Sequence, residues 1–113
     1  MHEMAIAESI LTALVEHGRA QDYKRVTLVR LEIGPLAGVE IEALRFCFDV
    51  VIKGSLADGA RLEIISDPAQ AWCMTCGKTV AIAERYDPCP GCGGHQLQIT
   101  SGTELRIKDL EVE

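Results

Sequence analysis

Aromatic side chains are scarce, with two Phe, two Tyr and one Trp making up 4% of the chain. A core must therefore be built mainly from Leu, Ile, Val and Ala. Long apolar runs are missing too, and nothing approaches the roughly 20 residues that a membrane-crossing helix needs. The opening Met1-His2-Glu3-Met4 lacks the basic start and apolar stretch of a secretory signal. These absences lead to the expectation of a soluble, cytoplasmic protein. Lys and Arg are scattered and form no run, and the formal charge is −6. Non-specific adhesion to phosphate backbones needs the opposite balance. There is no low-complexity segment, and no internal repeat beyond two cysteine pairs.

The 113 residues are about one domain long. The 48% hydrophobic and 25% charged content is ordinary for a globular protein. Among five cysteines, four fall into two Cys-x-x-Cys pairs and Cys47 stands alone. In a chain without a leader, this spacing reads as a metal site rather than a disulfide framework.

Apolar periodicity organises the rest. Residues 3–17 carry a helical stripe of Ala7, Ile10, Leu11 and Leu14, with Gly18 as the expected stop. Arg25 to Ile33 alternates as a strand and ends at Gly34-Pro35. A second helix is expected over about 39–53, with Ile41, Leu44, Phe48 and Val51 inward and Gly54 closing it. Arg61 to Ser66 and Glu104 to Val112 are two further strand candidates. The expected architecture is α+β: two helices on a small three-stranded sheet, interrupted by an inserted zinc-ribbon-like module. Residues 1–68 and 99–113 would form the main domain and 69–98 the insert. The insert has few large apolar residues, so metal should supply its folding energy.

Cys73-Met-Thr-Cys76-Gly and Cys89-Pro-Gly-Cys92-Gly each read as a metal-binding knuckle. Two intervening residues let both sulfurs reach one ion, and the glycine that follows suits the tight turn. Four thiolates fill a tetrahedral site and leave no place for substrate, which is structural rather than catalytic zinc chemistry. A redox dithiol and an iron site like that of rubredoxin are the rival readings.

A second metal site is suggested at Met1, His2 and Glu3. The imidazole Nδ1 and deprotonated amide of a histidine at position 2, with the α-amino group of residue 1, give three nearly coplanar nitrogens. Tetragonal nitrogen coordination suits nickel(II) or copper(II). One in-plane position stays open, for Glu3, another histidine such as His95, or a partner. An incomplete site exchanges metal readily, as a carrier requires. Taken alone this signal is weak, because a histidine at position 2 is usually an ordinary terminal residue.

The chain as a whole resembles a known family. The residues that carry the likeness are Met1-His2-Glu3, Leu31-Glu32-Ile33-Gly34, the helix from Val39-Glu40 to Phe48, Leu62-Glu63-Ile64, both cysteine knuckles, and Gly102-x-Glu104-Leu105-x-Ile107-x-x-Leu110-Glu111-Val112. They are similar to the HypA/HybF hydrogenase maturation factors from end to end. That resemblance implies a nickel metallochaperone, not an enzyme, which helps insert Ni(II) into [NiFe]-hydrogenase. It implies action with the maturation GTPase HypB and the hydrogenase large subunit, and in some organisms with urease accessory proteins. It also implies His2 as nickel ligand with Met1 and Glu3 beside it, and Cys73, Cys76, Cys89 and Cys92 as ligands of structural Zn(II). Some members carry histidine directly after each Cys-x-x-Cys pair. Gly77 and Gly93 stand there in this chain, which puts a histidine-linked change of zinc coordination in doubt.

Of the remaining candidates, His17 reads as a helix-end histidine that favours the macrodipole. His95 reads as an exposed loop residue with nickel ligation as its alternative. Cys47 reads as a buried, inert thiol. Trp72 is expected to pack the module against the main domain. The alternative function is a zinc-ribbon interaction or nucleic-acid module, which the acidic charge disfavours. No nucleophile–base pair suggests catalysis.

Overall fold

The computed structural model describes residues 2–113. Its elements are α1 (Glu3–Gln21), β1 (Val26–Ile33), α2 (Ile41–Val51), β2 (Arg61–Ile65), β3 (Ala69–Cys73), β4 (Lys78–Ile82), β5 (Leu97–Ser101) and β6 (Leu105–Val112). The strands form two three-stranded sheets, ordered β2-β1-β6 and β4-β3-β5. The chain divides into two compact units. One comprises residues 1–31, 39–64 and 107–113, and the other residues 32–38 and 65–106.

The first unit holds the two helices. Ala7, Ile10 and Leu14 bury one face of α1, while Leu44 and Phe48 do so for α2. Both sets follow the three-to-four residue period of a helix with one apolar face. In β1, Val26, Leu28, Val29 and Leu31 are all buried, so the inward parity changes between Leu28 and Val29. Thr27 and Arg30 take the outer positions. Arg30 there binds three carboxylates: Nε lies 3.2 Å from Glu63, Nη1 2.6 Å from Asp109 and Nη2 3.8 Å from Glu111. Its guanidinium crosses all three strands, and Glu63 foremost holds it protonated above the usual arginine range. β6 runs antiparallel to β1, because Glu113 donates to Arg25 O while Thr27 Oγ1 donates to Glu111 O.

Gly18 does not stop α1, which continues to Gln21 and ends with Asp22 in the left-handed region at φ 58°. A glycine in a helix costs only about 1 kcal/mol relative to alanine. Here its bare surface admits a neighbour, since an added Cβ would meet Tyr23 Cε1 at 3.0 Å and Leu56 Cδ1 at 3.2 Å. His17 consequently lies inside the helix, with Nδ1 3.2 Å from Tyr23 Oη, which itself donates to Leu14 O. α2 is shorter than its expected 39–53, and Cys47 is half-buried on it rather than fully enclosed.

The second unit is a small sheet in which β3 pairs antiparallel with both β4 and β5. Ala69, Ala71 and Cys73 point inward along β3 and meet Val80, Ile82 and Cys89, with Leu36, Leu97 and Ile99 packed around them. Trp72 takes the opposite face and remains 42% exposed. The unit is larger than residues 69–98 because backbone pairing recruits both flanks. Gly34 N–H donates to Glu104 O, Leu36 N–H donates to Gly102 O, and β5 continues to Ser101.

Candidate metal centres

The first knuckle lies at the tip of the β3–β4 hairpin. Cys73 closes β3 and pairs with Lys78, so residues 74–77 must reverse the chain. The Gly77 N–H donates to Cys73 O at 2.8 Å, with Gly77 at φ 65°. The second knuckle repeats this arrangement: Gly93 N–H donates to Cys89 O at 2.8 Å, with Gly93 at φ 73°. In both loops the residue after the second cysteine must be left-handed, a conformation that glycine adopts without a Cβ penalty. A histidine at either position would be strained.

This pair of turns brings four sulfurs together. The Sγ atoms of Cys73, Cys76, Cys89 and Cys92 all lie within 4.8 Å of one another. Cys73 to Cys92 is 3.8 Å and Cys76 to Cys89 is 3.9 Å. A tetrahedron with 2.3 Å zinc–sulfur arms has edges of about 3.8 Å, so the cluster has the size of one four-thiolate zinc site. Backbone amides face the sulfurs, with Cys76 N–H donating to Cys73 Sγ and Gly91 N–H to Cys89 Sγ, each at 3.3 Å. Cys73 and Cys89 are buried, whereas Cys92 is exposed.

The electrostatics of the cluster call for a cation. The backbone N–H of Cys92 and then of Gly91 pull the Cys89 thiol down to about 6. Crowding by the Cys92 and Cys73 sulfurs pushes the Cys76 thiol up to about 12. Four thiolates coexist at neutral pH only when a positive ion sits among them. All-sulfur tetrahedral donors suit zinc and iron and exclude the hard oxygen-seeking cations.

The sequence carried less signal for what shapes the loops. Asp87 Oδ2 accepts hydrogen bonds from Ala83 and Glu84 N–H at 3.0 and 2.9 Å, which fixes the approach to the second knuckle. Both carboxylate oxygens of Glu104 accept from Gly102 N–H, at 3.0 and 3.1 Å, and hold the unit's last turn. That contact, with Arg106 nearby, keeps the Glu104 carboxyl below the usual range.

The other candidates are not members of the four-sulfur cluster. His2 is exposed and extended at φ −85°, ψ 101°, immediately before α1, with no capping bond from its side chain. The candidate ligand Met1 lies outside the described residues. Glu3 is half-buried, and its Oε2 accepts a hydrogen bond from the Glu40 N–H at 3.1 Å. That amide foremost, then the amide of Glu3 itself, lowers its carboxyl pKa. His95 is exposed in the loop before β5.

Two compact units, one of them organised around four converging cysteines, define a small protein with a closed metal module. The chain also matches the family described as hydrogenase/urease nickel incorporation, metallochaperone, HypA, over residues 1–112. It is 60% identical to the hydrogenase maturation factor HypA of Azotobacter vinelandii over 113 residues, covering all of both chains. It is 58% identical to that of Alkalilimnicola ehrlichii, again over 100% of each. Its fold is similar to the solution structure of the Ni metallochaperone HypA from Helicobacter pylori, with TM-score 0.70 and 24% identity, covering 99% of this chain and 97% of that one. The chain belongs to the HypA family of nickel-incorporation metallochaperones, which act in hydrogenase maturation. No helix among the described residues is long and apolar enough to cross a membrane.

Proposed function

We propose that this protein carries Ni(II) at its amino terminus and delivers it during maturation of [NiFe]-hydrogenase. Zn(II) held by Cys73, Cys76, Cys89 and Cys92 would be the permanent scaffold and nickel the cargo. The observation that carries this reading is the exposed, uncapped His2 at the start of α1, in a chain of the nickel-incorporation family. Its imidazole and amide, with the Met1 amine, supply the planar nitrogen set that Ni(II) favours. The positive end of the α1 dipole favours the deprotonated amide that such binding requires. One oxygen of Glu3 accepts the Glu40 N–H, which holds the carboxylate beside His2.

The maturation GTPase HypB and the hydrogenase large subunit are the partners this role requires, and urease accessory proteins would extend it. The zinc unit offers a surface for such contacts, because Trp72, Met74 and Tyr86 are 42%, 67% and 86% exposed. Cytoplasmic residence follows from the recipient enzymes.

Titration of untagged, zinc-loaded protein with Ni(II) tests the reading. Affinity and a square-planar absorption band should both be lost on His2→Ala, and on adding residues before Met1, which removes the amine ligand. Unchanged affinity and spectrum in both would defeat the amino-terminal site.

A further inference from the structure

The four clustered sulfurs, all within the second unit, are not equivalent. Cys73 and Cys89, the first cysteine of each knuckle, are buried. Each accepts a backbone N–H, from Cys76 and Gly91 respectively, at 3.3 Å. Cys76 is half-buried and Cys92 is exposed. Among the described residues no backbone N–H donates to the sulfur of either. A hydrogen bond to a ligand sulfur draws charge from it, so a sulfur without one keeps more of its reactivity.

Cys92 is also left uncovered by its neighbours. It stands in the run Gly91-Cys92-Gly93-Gly94, which has no other side chain. Gly93 is left-handed at φ 73°, as its turn requires, but Gly94 is not in that region. A Cβ added at Gly94 would sit 3.5 Å from Cys92 Sγ and meet nothing else within 4 Å beyond its chain neighbours. The backbone would therefore admit a side chain at Gly94, and its absence leaves the sulfur open to solvent.

A thiol bound to zinc is deprotonated outright, so all four sulfurs are thiolates when the site is filled. Protonation then does not tell them apart. Access and hydrogen bonding do, because oxidation follows exposed thiolate character. Both criteria select Cys92.

We propose that Cys92 is a modification site, the sulfur at which hydrogen peroxide attacks the zinc unit; this rests on the reading of the four cysteines as a zinc site. Cys92 Sγ attacks one peroxide oxygen. An S–O bond forms, the O–O bond breaks, and the second oxygen leaves as hydroxide. The sulfur is oxidised by two electrons to a sulfenic acid, and the peroxide is reduced. Cys73 Sγ, 3.8 Å away, then attacks the Cys92 sulfur. An S–S bond forms, the S–O bond breaks, and a second hydroxide leaves. Two thiolates remain in place of four, so the hold on zinc weakens and the unit loses folding energy. A dithiol reductant restores both thiols by exchange.

Zinc-loaded protein treated with an equimolar amount of hydrogen peroxide tests this. Sulfenic acid is trapped with a cyclic dione and located by fragmentation mass spectrometry, while a chromogenic chelator follows released zinc. Within the cluster, the label should appear first at Cys92, and zinc release should follow at the same rate. Gly94→Ala sets a methyl against Cys92 Sγ and should slow both about threefold. Cys47→Ser, outside the cluster, should change neither. The wild-type label decides the matter if Gly94→Ala no longer holds zinc. Label at Cys73, Cys76 or Cys89 before Cys92 overturns the proposal, as does zinc release that precedes any change at Cys92. Protein that takes up no zinc before treatment defeats the zinc reading and this proposal together, whereas a filled site with Cys92 unlabelled defeats this proposal alone.

Discussion

The Glu3 carboxylate accepts the backbone N–H of Glu40 at 3.1 Å, tying the first turn of α1 to the entry of α2. His2 precedes that anchor by one residue, so the contact fixes where the amino terminus leaves the helix. The Glu3 pKa is lowered from 4.5, chiefly by this amide. A depressed carboxyl contributes stability that is present above its unfolded value and lost as pH falls through the folded one. An NMR titration should therefore show the Glu40 amide shifting below about pH 4.5, where an unperturbed glutamate protonates. The shift should vanish in Glu3→Gln. An amide indifferent to acid in the wild type would refute the link.

Metal removal should act on one unit. Small zinc modules draw about 10 kcal/mol or more of folding free energy from the ion, and among the described residues the second unit buries only Ile33, Val80 and Ile82 as large apolar side chains besides its cysteines. Chelation, or Cys73→Ser, should collapse the amide resonances of 65–106 while those of α1 and α2 persist. A second unit that keeps its spectrum without metal would contradict this.

Gly34 leaves no room for a side chain. A Cβ there would sit 2.1 Å from Gly102 O, where only backbone movement could relieve the clash. Gly34→Ala should cost more than about 2 kcal/mol. Gly38→Ala faces an unusual φ of +74° but open space, and should cost about 1 kcal/mol. Urea denaturation of the two variants should rank them in that order.

Phe46 and Phe48 test the register of α2. Phe48 is fully buried and Phe46 is 69% exposed. Phe48→Ala should lose about 3–5 kcal/mol, whereas Phe46→Ala should stay within about 0.5 kcal/mol. Equal losses would mean that the helix presents a different face.

Much of the first unit was legible because periodicity reports directly on burial. Ala7, Ile10 and Leu14 were inward candidates by spacing, and all three are buried. Spacing was silent where a single residue met something distant in the chain. Gly18 has the form of a stop signal, but it is a contact surface for Tyr23 and Leu56. Strand alternation places Trp72 on the face opposite that of Cys73.

The two Cys-x-x-Cys-Gly loops needed nothing beyond themselves to be recognised. Their chemistry is local: two sulfurs within reach of one ion and a glycine where the chain must turn left-handed. His2 was likewise a candidate from its position alone, since chelation through consecutive nitrogens is a property of the covalent chain. Tertiary structure decided the rest. It brought Cys73 and Cys92 to 3.8 Å, recruited Gly34 and Leu36 to the cysteine unit, and engaged Glu3 with Glu40. These contacts join residues far apart in sequence, and their partners are chosen by backbone pairing and close approach, which no local pattern encodes.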